Sequence, residues 1–98
     1  MRRVKKRYLI TIVLHDEASA AETIARSVEQ AFGIYGLSRT RPTSVYKQGR
    51  YEVVSVLREG LPLVRAALAL FSYDKVVVLR VTGTSRKARR IVDSMPRA

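Results

Sequence analysis

Several residue types that carry chemistry are missing or scarce in this 98-residue sequence. It has no cysteine and no tryptophan, and His15 is its only histidine. The lack of thiols excludes disulfides, thiolate nucleophiles and thiolate metal sites, and a single imidazole cannot form a histidine metal cluster. No apolar run is long enough to span a bilayer. These absences predict a cytoplasmic protein with no membrane-spanning segment, and no membrane is expected among its partners.

Acidic residues are also scarce, and this shortage is the strongest feature of the composition. The sequence contains eight aspartates and glutamates and 19 lysines and arginines, which gives a formal net charge of +11. Such an excess predicts a polyanionic partner. Arginine outnumbers lysine, and its planar guanidinium suits phosphate and base stacking. Nucleic acid is therefore favoured over an anionic membrane surface or an acidic protein.

Hydrophobic periodicity predicts one α+β domain over residues 1–98, with the element order β-α-β-β-α-β. This is the ferredoxin-like plan, a four-stranded antiparallel sheet with two helices on one face and strands one and three at its centre. A basic N-terminal arm (residues 1–7) precedes it, and a basic helix (84–95) follows it. The predicted strands are 4–14, about 43–47, about 50–58 and 75–81.

Local signals predict where these elements begin and end. "SAAE" has the spacing of a capping box, so the first helix begins at Ser19, and Gly33 or Gly36 would end it. Gln48 and Gly49 suit a two-residue hairpin turn. The almost unbroken apolar body of "GLPLVRAALALFS" predicts a second helix that is mostly buried.

The C-terminal helix is predicted to be strongly amphipathic. Its apolar residues fall in one sector and its cations in the opposite one, so one face can dock while the other binds phosphate. The hydroxyls of Thr84 and Ser85 and the free N–H groups of the helix start also suit phosphate. The alternative is a solvated helix whose charge only aids solubility. The predicted RNA-binding residues here are Thr84, Ser85, Arg86, Lys87, Arg89 and Arg90.

A second basic group lies in the loop and hairpin of the middle of the chain. We predict that these residues also bind RNA, on a surface shared with the C-terminal helix, because four of the eight acids gather at the first helix and leave the cations segregated. The predicted residues are Arg39, Arg41, Lys47 and Arg50.

Strand alternation predicts a second, partly apolar sheet face. The set Tyr8, Ile10, Ile12 and Leu14 is the more apolar one in the first strand and is expected in the core. An open apolar face suggests a protein partner, although the terminal helix could instead cover part of it. The residues predicted for this partner face are Leu9, Val13, Val76, Val78 and Arg80.

Catalytic chemistry has little support. The only acid–base cluster is "HDE", residues 15–17, which could bind a metal ion or act as a general base. Such a group more often forms a strand end and a loop into a helix. We therefore predict no catalytic residue, and no metal or cofactor bound by this chain.

Three blocks of the sequence resemble the Pop5/Rpp14-like family of ribonuclease P proteins, known as component two. They are "FGIYGLSRTRP" at 32–42, "LVRAALALF" at 63–71, and "VVVLRV" at 76–81 followed by "TGTSRKARR". The resemblance is to a shortened or divergent member. It implies a ferredoxin-fold subunit that pairs with component three and supports the catalytic ribonuclease P RNA. That RNA, with bound magnesium, removes the 5′ leader of precursor tRNA.

Two other hypotheses fit the residues. One is a free-standing RNA-binding module, such as a ribosome-associated protein, which would need no protein partner. The other is a small enzyme or ligand-sensing domain on the same fold.

Overall fold

Four antiparallel strands form one sheet in the order β2-β3-β1-β4. The computed structural model describes residues 5–14 and 19–96. The predicted β-α-β-β-α-β order and the α+β, ferredoxin-like fold are confirmed, with β1 and β3 at the centre of the sheet. The elements are β1 (Lys6–Val13), α1 (Ala20–Thr40), β2 (Thr43–Gln48), β3 (Tyr51–Leu57), a 3₁₀ turn (Arg58–Gly60), α2 (Leu61–Phe71), β4 (Val76–Thr82) and α3 (Ser85–Asp93).

Both faces of the sheet are covered, α1 and α2 lying on one and α3 on the other. Leu9 and Val13 of β1 and Val76 of β4 are buried with residues of α1 and α2. Ile10, one position along β1, is buried instead against α3. Successive strand residues point to opposite faces, so the odd-numbered and even-numbered side chains of β1 pack into two different cores.

The predicted partner face is therefore wrong for Leu9, Val13 and Val76, which lie inside the main core. Val78 is half-buried against that same core, and Arg80 lies on the other face, opposite Ile10. Alternation alone could not assign the faces, because both sets of side chains in β1 are apolar. The larger core forms on the sheet face that packs against two helices, and the smaller core forms on the face that packs against one.

Helix α1 begins as predicted and is interrupted at Gly33, one of the two glycines predicted to end it, before it continues to Thr40. The Ser19 hydroxyl accepts a hydrogen bond from the Glu22 N–H at 3.5 Å, which confirms the cap. Gly33 has φ 70° and ψ −161°, a non-helical conformation at which a first helical segment stops and, after a kink, a second segment begins. The helix ends at Arg41, which has φ 43° and donates its N–H to the Leu37 carbonyl at 2.9 Å.

A buried carboxylate from β3 completes the N-terminus of α1. Glu52 is 1% exposed, and it accepts hydrogen bonds from the N–H groups of Ala20 (3.0 Å) and Ala21 (3.1 Å) and from the Ser19 hydroxyl (3.1 Å). These are donors that a helix start leaves unsatisfied, and the negative charge favours the positive end of the helix dipole. Glu52 thereby ties α1 to the sheet.

Two further predictions need correction. The hairpin loop consists of Gly49 and Arg50, one residue later than predicted, because Gln48 still pairs with Tyr51 and Gly49 supplies the positive φ of 60°. Helix α2 is not mostly buried. It buries only one stripe, Val64, Ala67 and Leu68, and leaves Leu70 66% exposed.

One predicted segment lies partly outside the described residues, and another lies wholly outside them. These are residues 1–4 of the predicted arm and the HDE group at 15–17. Lys6 and Arg7, the last two residues of the predicted arm 1–7, belong to β1. Within the described ranges, no helix has the length and hydropathy needed to cross a membrane. Within them too, no three histidine, aspartate or glutamate side chains could together hold a metal ion.

Candidate nucleic-acid interface

Helix α3 is seated on the sheet by its apolar stripe. Ala88 and Val92 are buried against Ile10 of β1 and Val53 of β3, and Ile91 packs at their edge. The sector predicted to dock is thus the buried one. Because the helix is held on this side, the opposite sector, which carries its cations, points into solvent.

Tyrosine side chains from the sheet hold the far end of α3. The Tyr46 hydroxyl donates to the Asp93 carboxylate at 2.6 Å, and the Arg89 guanidinium lies 5.1 Å from the centre of the Tyr46 ring. The Tyr51 hydroxyl donates to the Pro96 carbonyl at 2.8 Å. The hydrogen bond to Asp93 raises the pKa of Tyr46, with burial and the charge of Asp93 adding to the rise and Arg89 opposing it.

The start of α3 combines a side-chain cap with positive charge. Thr84 caps the helix by accepting from the Lys87 N–H at 3.3 Å, and the Thr82 hydroxyl donates to the Thr84 carbonyl at 3.0 Å. The first turn contains no acid, and it carries Arg86 and Lys87. Cations at this end are opposed by the helix dipole, whereas an anion is favoured. A bound phosphate would therefore relieve the local charge.

The cations of α3 are available to a ligand. Arg86, Lys87, Arg89 and Arg90 are all exposed. In the described part of the chain they form no ion pair with a carboxylate, and only Arg89 has an aromatic partner. An open cleft of about 470 Å³ lies along this face, lined by Ser85, Arg86, Arg89, Arg90 and Asp93.

The loop and hairpin cations do not join this surface as a group. Arg39 belongs to the last turn of α1, where it pairs with Glu59 at 3.8 Å and lies 4.9 Å from the centre of the Tyr35 ring. Arg41 caps the same helix. Both residues lie in the α1/α2 layer, on the other side of the sheet from α3.

The two hairpin cations also lie away from the cations of α3. Lys47 is registered opposite Glu52, whose side chain reaches the start of α1, so Lys47 shares the α1 side of the sheet. Arg50 is exposed in the turn itself. The four predicted residues of the middle of the chain are therefore spread over the α1/α2 side and the sheet edge.

Sequence reasoning missed the contacts of Tyr46 and Tyr51 with the end of α3, and it missed the exposed apolar residues. Tyr46 was not assigned a role, although an aromatic residue on the outer strand of a hairpin is a signal for packing against a covering helix. The structure also exposes several large apolar side chains outside both cores. They are Ile34, Tyr35, Leu70, Phe71, Tyr73, Val77 and Leu79.

The fold and this site define a class of protein: a ferredoxin-like α+β domain with a basic helix over its second sheet face. The sequence model of the Rpp14/Pop5 family matches residues 7–92. Ribonuclease P protein component 2 of Methanocaldococcus jannaschii is 31% identical over 96 residues, which covers 89% of this chain and 72% of that protein. The chain therefore belongs to the Rpp14/Pop5 family, and the resemblance found in the sequence is confirmed.

Proposed function

We propose that this chain is a noncatalytic, RNA-binding subunit of ribonuclease P in the cytoplasm. It would support the catalytic RNA that removes the 5′ leader of precursor tRNA, and so touch that substrate only indirectly. Membership of the Rpp14/Pop5 family supports the assembly. The observation that best supports RNA binding is the set of four exposed cations on the outer face of α3, a helix that packs on the sheet through its other face.

The mechanism follows from charge neutralisation. A folded catalytic RNA brings phosphates close together, and their repulsion opposes its active shape. Arginine and lysine side chains at the interface replace condensed counterions, and the released ions favour binding at low salt. Because the protein binds the folded RNA in preference to the unfolded RNA, it stabilises the active shape. Magnesium acts on the RNA, and this chain contributes no catalytic group and no cofactor.

Substitutions on α3 test the RNA-binding surface. Arg86→Gln, Arg89→Gln and Arg90→Gln are each expected to weaken binding to ribonuclease P RNA. Each should lower the slope of log K against log salt by up to about one unit per lost phosphate contact. Filter binding over a salt series measures both quantities. Arg65→Gln is the matched control, since Arg65 is exposed on α2, across the sheet from α3.

A contrary result would be equally clear. If all three α3 variants keep the wild-type slope, this face remains in solvent in the complex and RNA binding lies elsewhere. If Arg65→Gln lowers the slope as much as the α3 variants do, the binding is a non-specific response to net charge.

The protein partner we propose is ribonuclease P component three. Leu9, Val13 and Val76 of the predicted partner face are buried, so the partner needs another surface. Leu70 and Phe71 at the end of α2 and Tyr73 in the following turn offer exposed apolar side chains within four consecutive residues. Apolar side chains grouped in this way are typical of the centre of a protein interface.

Mixing the two purified proteins tests this partner. Size-exclusion chromatography should show a stable complex for the wild-type chain and a weakened one for Leu70→Asp. Ala66→Asp, an exposed position one turn earlier on α2, is the control for added charge. If the wild-type chain forms no complex with component three but still binds RNA, a free-standing RNA-binding module is supported instead.

A further inference from the structure

A β-bulge interrupts the pairing of β4 with β1. Val78 lies opposite Thr11, and the next pair along the strands is Arg80 with Ile10. Leu79 is therefore an extra residue in β4 without a partner in β1. A bulge of this kind shifts the alternation of the strand by one position and re-aims the side chains that follow it.

The re-aimed side chain is Arg80. Strict alternation would place Arg80 on the same face as Val78, against the α1/α2 core. After the bulge, Val81 takes the place against that core, and Arg80 shares the face of Ile10, which α3 covers. The bulge thus brings a cation of the sheet to the same side as the cations of α3.

Arg80 and α3 together line a cleft. Its volume is about 350 Å³, and its walls come from the end of β4, the cap of α3 and the side of α3 facing β4. No carboxylate lines it, unlike the neighbouring cleft of α3, which includes Asp93. The lining residues are Arg80, Thr84, Arg86, Lys87, Arg90 and Ile91.

The charges in this cleft have no internal counterpart. Arg80 is exposed, and within the described residues neither it nor Arg86, Lys87 or Arg90 forms an ion pair. Four like charges around one cleft repel each other, and the helix dipole at the cap of α3 adds to the positive potential. An anion with several oxygens suits such a cleft, because a guanidinium binds phosphate through two parallel hydrogen bonds.

We propose that the cleft between β4 and α3 is a binding site for the phosphodiester backbone of RNA, and that Arg80 is an RNA-binding residue aimed into it by the bulge. The proposal rests on the RNA-binding function above and adds a second element to its surface. The RNA backbone follows the β4 edge of the sheet at this site, and does not lie across the sheet face, which α3 occupies.

The test uses the full chain with two probes, ribonuclease P RNA and a short oligouridylate. Arg80→Gln should weaken binding of both by about tenfold, the effect of losing a charged hydrogen bond. It should also lower the salt slope by about 0.7 to 0.9 unit. Arg80→Lys, which keeps the charge but loses the bidentate geometry, should fall between wild type and Arg80→Gln. Arg65→Gln should bind as the wild type does.

A double substitution tests whether Arg80 and α3 hold the same phosphate. Arg80→Gln with Arg90→Gln should weaken binding by less than the product of the two single effects, because residues that share a ligand are coupled. In the ¹⁵N-labelled protein, the side-chain Nε–H resonance of Arg80 should shift on addition of oligouridylate. Circular dichroism of the exposed Arg80 variants should show unchanged folding.

The possible failures are distinguishable. If the wild type and Arg65→Gln bind RNA and Arg80→Gln binds equally well, the cleft is not a phosphate site, although the proposed function stands. If Arg80→Gln leaves RNA binding intact but weakens the complex with component three, Arg80 belongs to a protein interface and the proposal is overturned. If the wild type binds no RNA, the proposed function fails and this inference fails with it.

Discussion

The two faces of the sheet are covered in different ways. On one face, α1 and α2 bury a continuous set of aliphatic side chains that includes Leu9, Ile24 and Val54. On the other face, α3 buries a much smaller cluster around Val53 and Val92, and tyrosine hydroxyls hold its far end. The first face has the construction of a domain core, and the second has that of a docked element.

This difference separates stability from binding. Buried apolar area sets most of the free energy of folding, so the α1/α2 side should dominate the global stability. A short helix on a small cluster can open locally at a lower cost. The exposed cations Arg80, Arg86, Lys87 and Arg90, which form no ion pair with any described residue, lie on this second side. The side that we propose to bind RNA is therefore the one that can open locally.

The largest expected effect is the loss of stability when a large side chain is removed from the main core. Ile24→Ala should lower the free energy of unfolding by about 2–5 kcal/mol, because Ile24 is fully buried between α1 and the sheet. Urea unfolding followed by circular dichroism measures the change. A loss below about 1 kcal/mol would mean that the core collapses around the missing atoms and does not dominate stability.

Glu52 tests how far one buried carboxylate ties α1 to the sheet. Glu52→Gln keeps the size but replaces one acceptor oxygen by an amide donor that faces the N–H groups of Ala20 and Ala21. We expect a loss of about 1–3 kcal/mol in the free energy of unfolding. The exposed Glu59→Gln is the control in the same urea titration. Equal stability of the two variants would remove the assigned role of Glu52.

Substitution of Val92 tests whether α3 can open without unfolding of the whole domain. Val92→Ala removes about two buried carbon groups and should weaken α3 docking by about 1.5 kcal/mol, at ~0.8 kcal/mol for each. Amide hydrogen exchange should become about tenfold faster in α3, while β1 and β3 exchange as before. If β1 and β3 accelerate equally, α3 unfolds only with the whole domain and the two sides are not separable.

The smallest expected effect is a pH dependence at the rim of α3. The hydrogen bond to Asp93 raises the pKa of Tyr46 above its ordinary value of 10.0, because that bond needs the protonated hydroxyl. Its contribution to docking is complete below pH 10.0 and is lost as pH rises through the raised pKa. Tyrosinate absorbance and exchange of α3 amides against pH measure it.

Tyr46→Phe is the control for this titration. The variant lacks the hydroxyl, so exchange in α3 should begin slightly faster and should show no step associated with Tyr46. A step of the same size in Tyr46→Phe would assign the pH dependence to another group.

Local features of the chain were predictable because their causes are local. The Ser19 cap depends on residues within one helical turn, and the amphipathic spacing around Ala88 and Val92 depends only on helical geometry. Both could be read without knowing what surrounds them. The same holds for the element order and for the outward-facing cations of α3.

Features that depend on a distant neighbour were not predictable. Nothing near Glu52 in the sequence shows that its carboxylate meets the start of α1, about thirty residues away. The sequence could not show which alternate side chains of β1 face α1 and α2, because both sets of side chains are apolar. Arg80 was grouped with Leu9, Val13 and Val76, which lie on the opposite face, because a bulge at Leu79 leaves no local signal in a run of valines and leucines.

The sequence by itself therefore determined the elements, their order and the excess of positive charge, since periodicity, caps and composition act over a few residues or over the whole chain. Only the tertiary structure decided which strand face meets which helices, and which cations share a surface. Those outcomes depend on strand register, where a shift of one residue exchanges the two faces of the sheet. The register of β4 is set by its pairing with β1, which no local pattern contains.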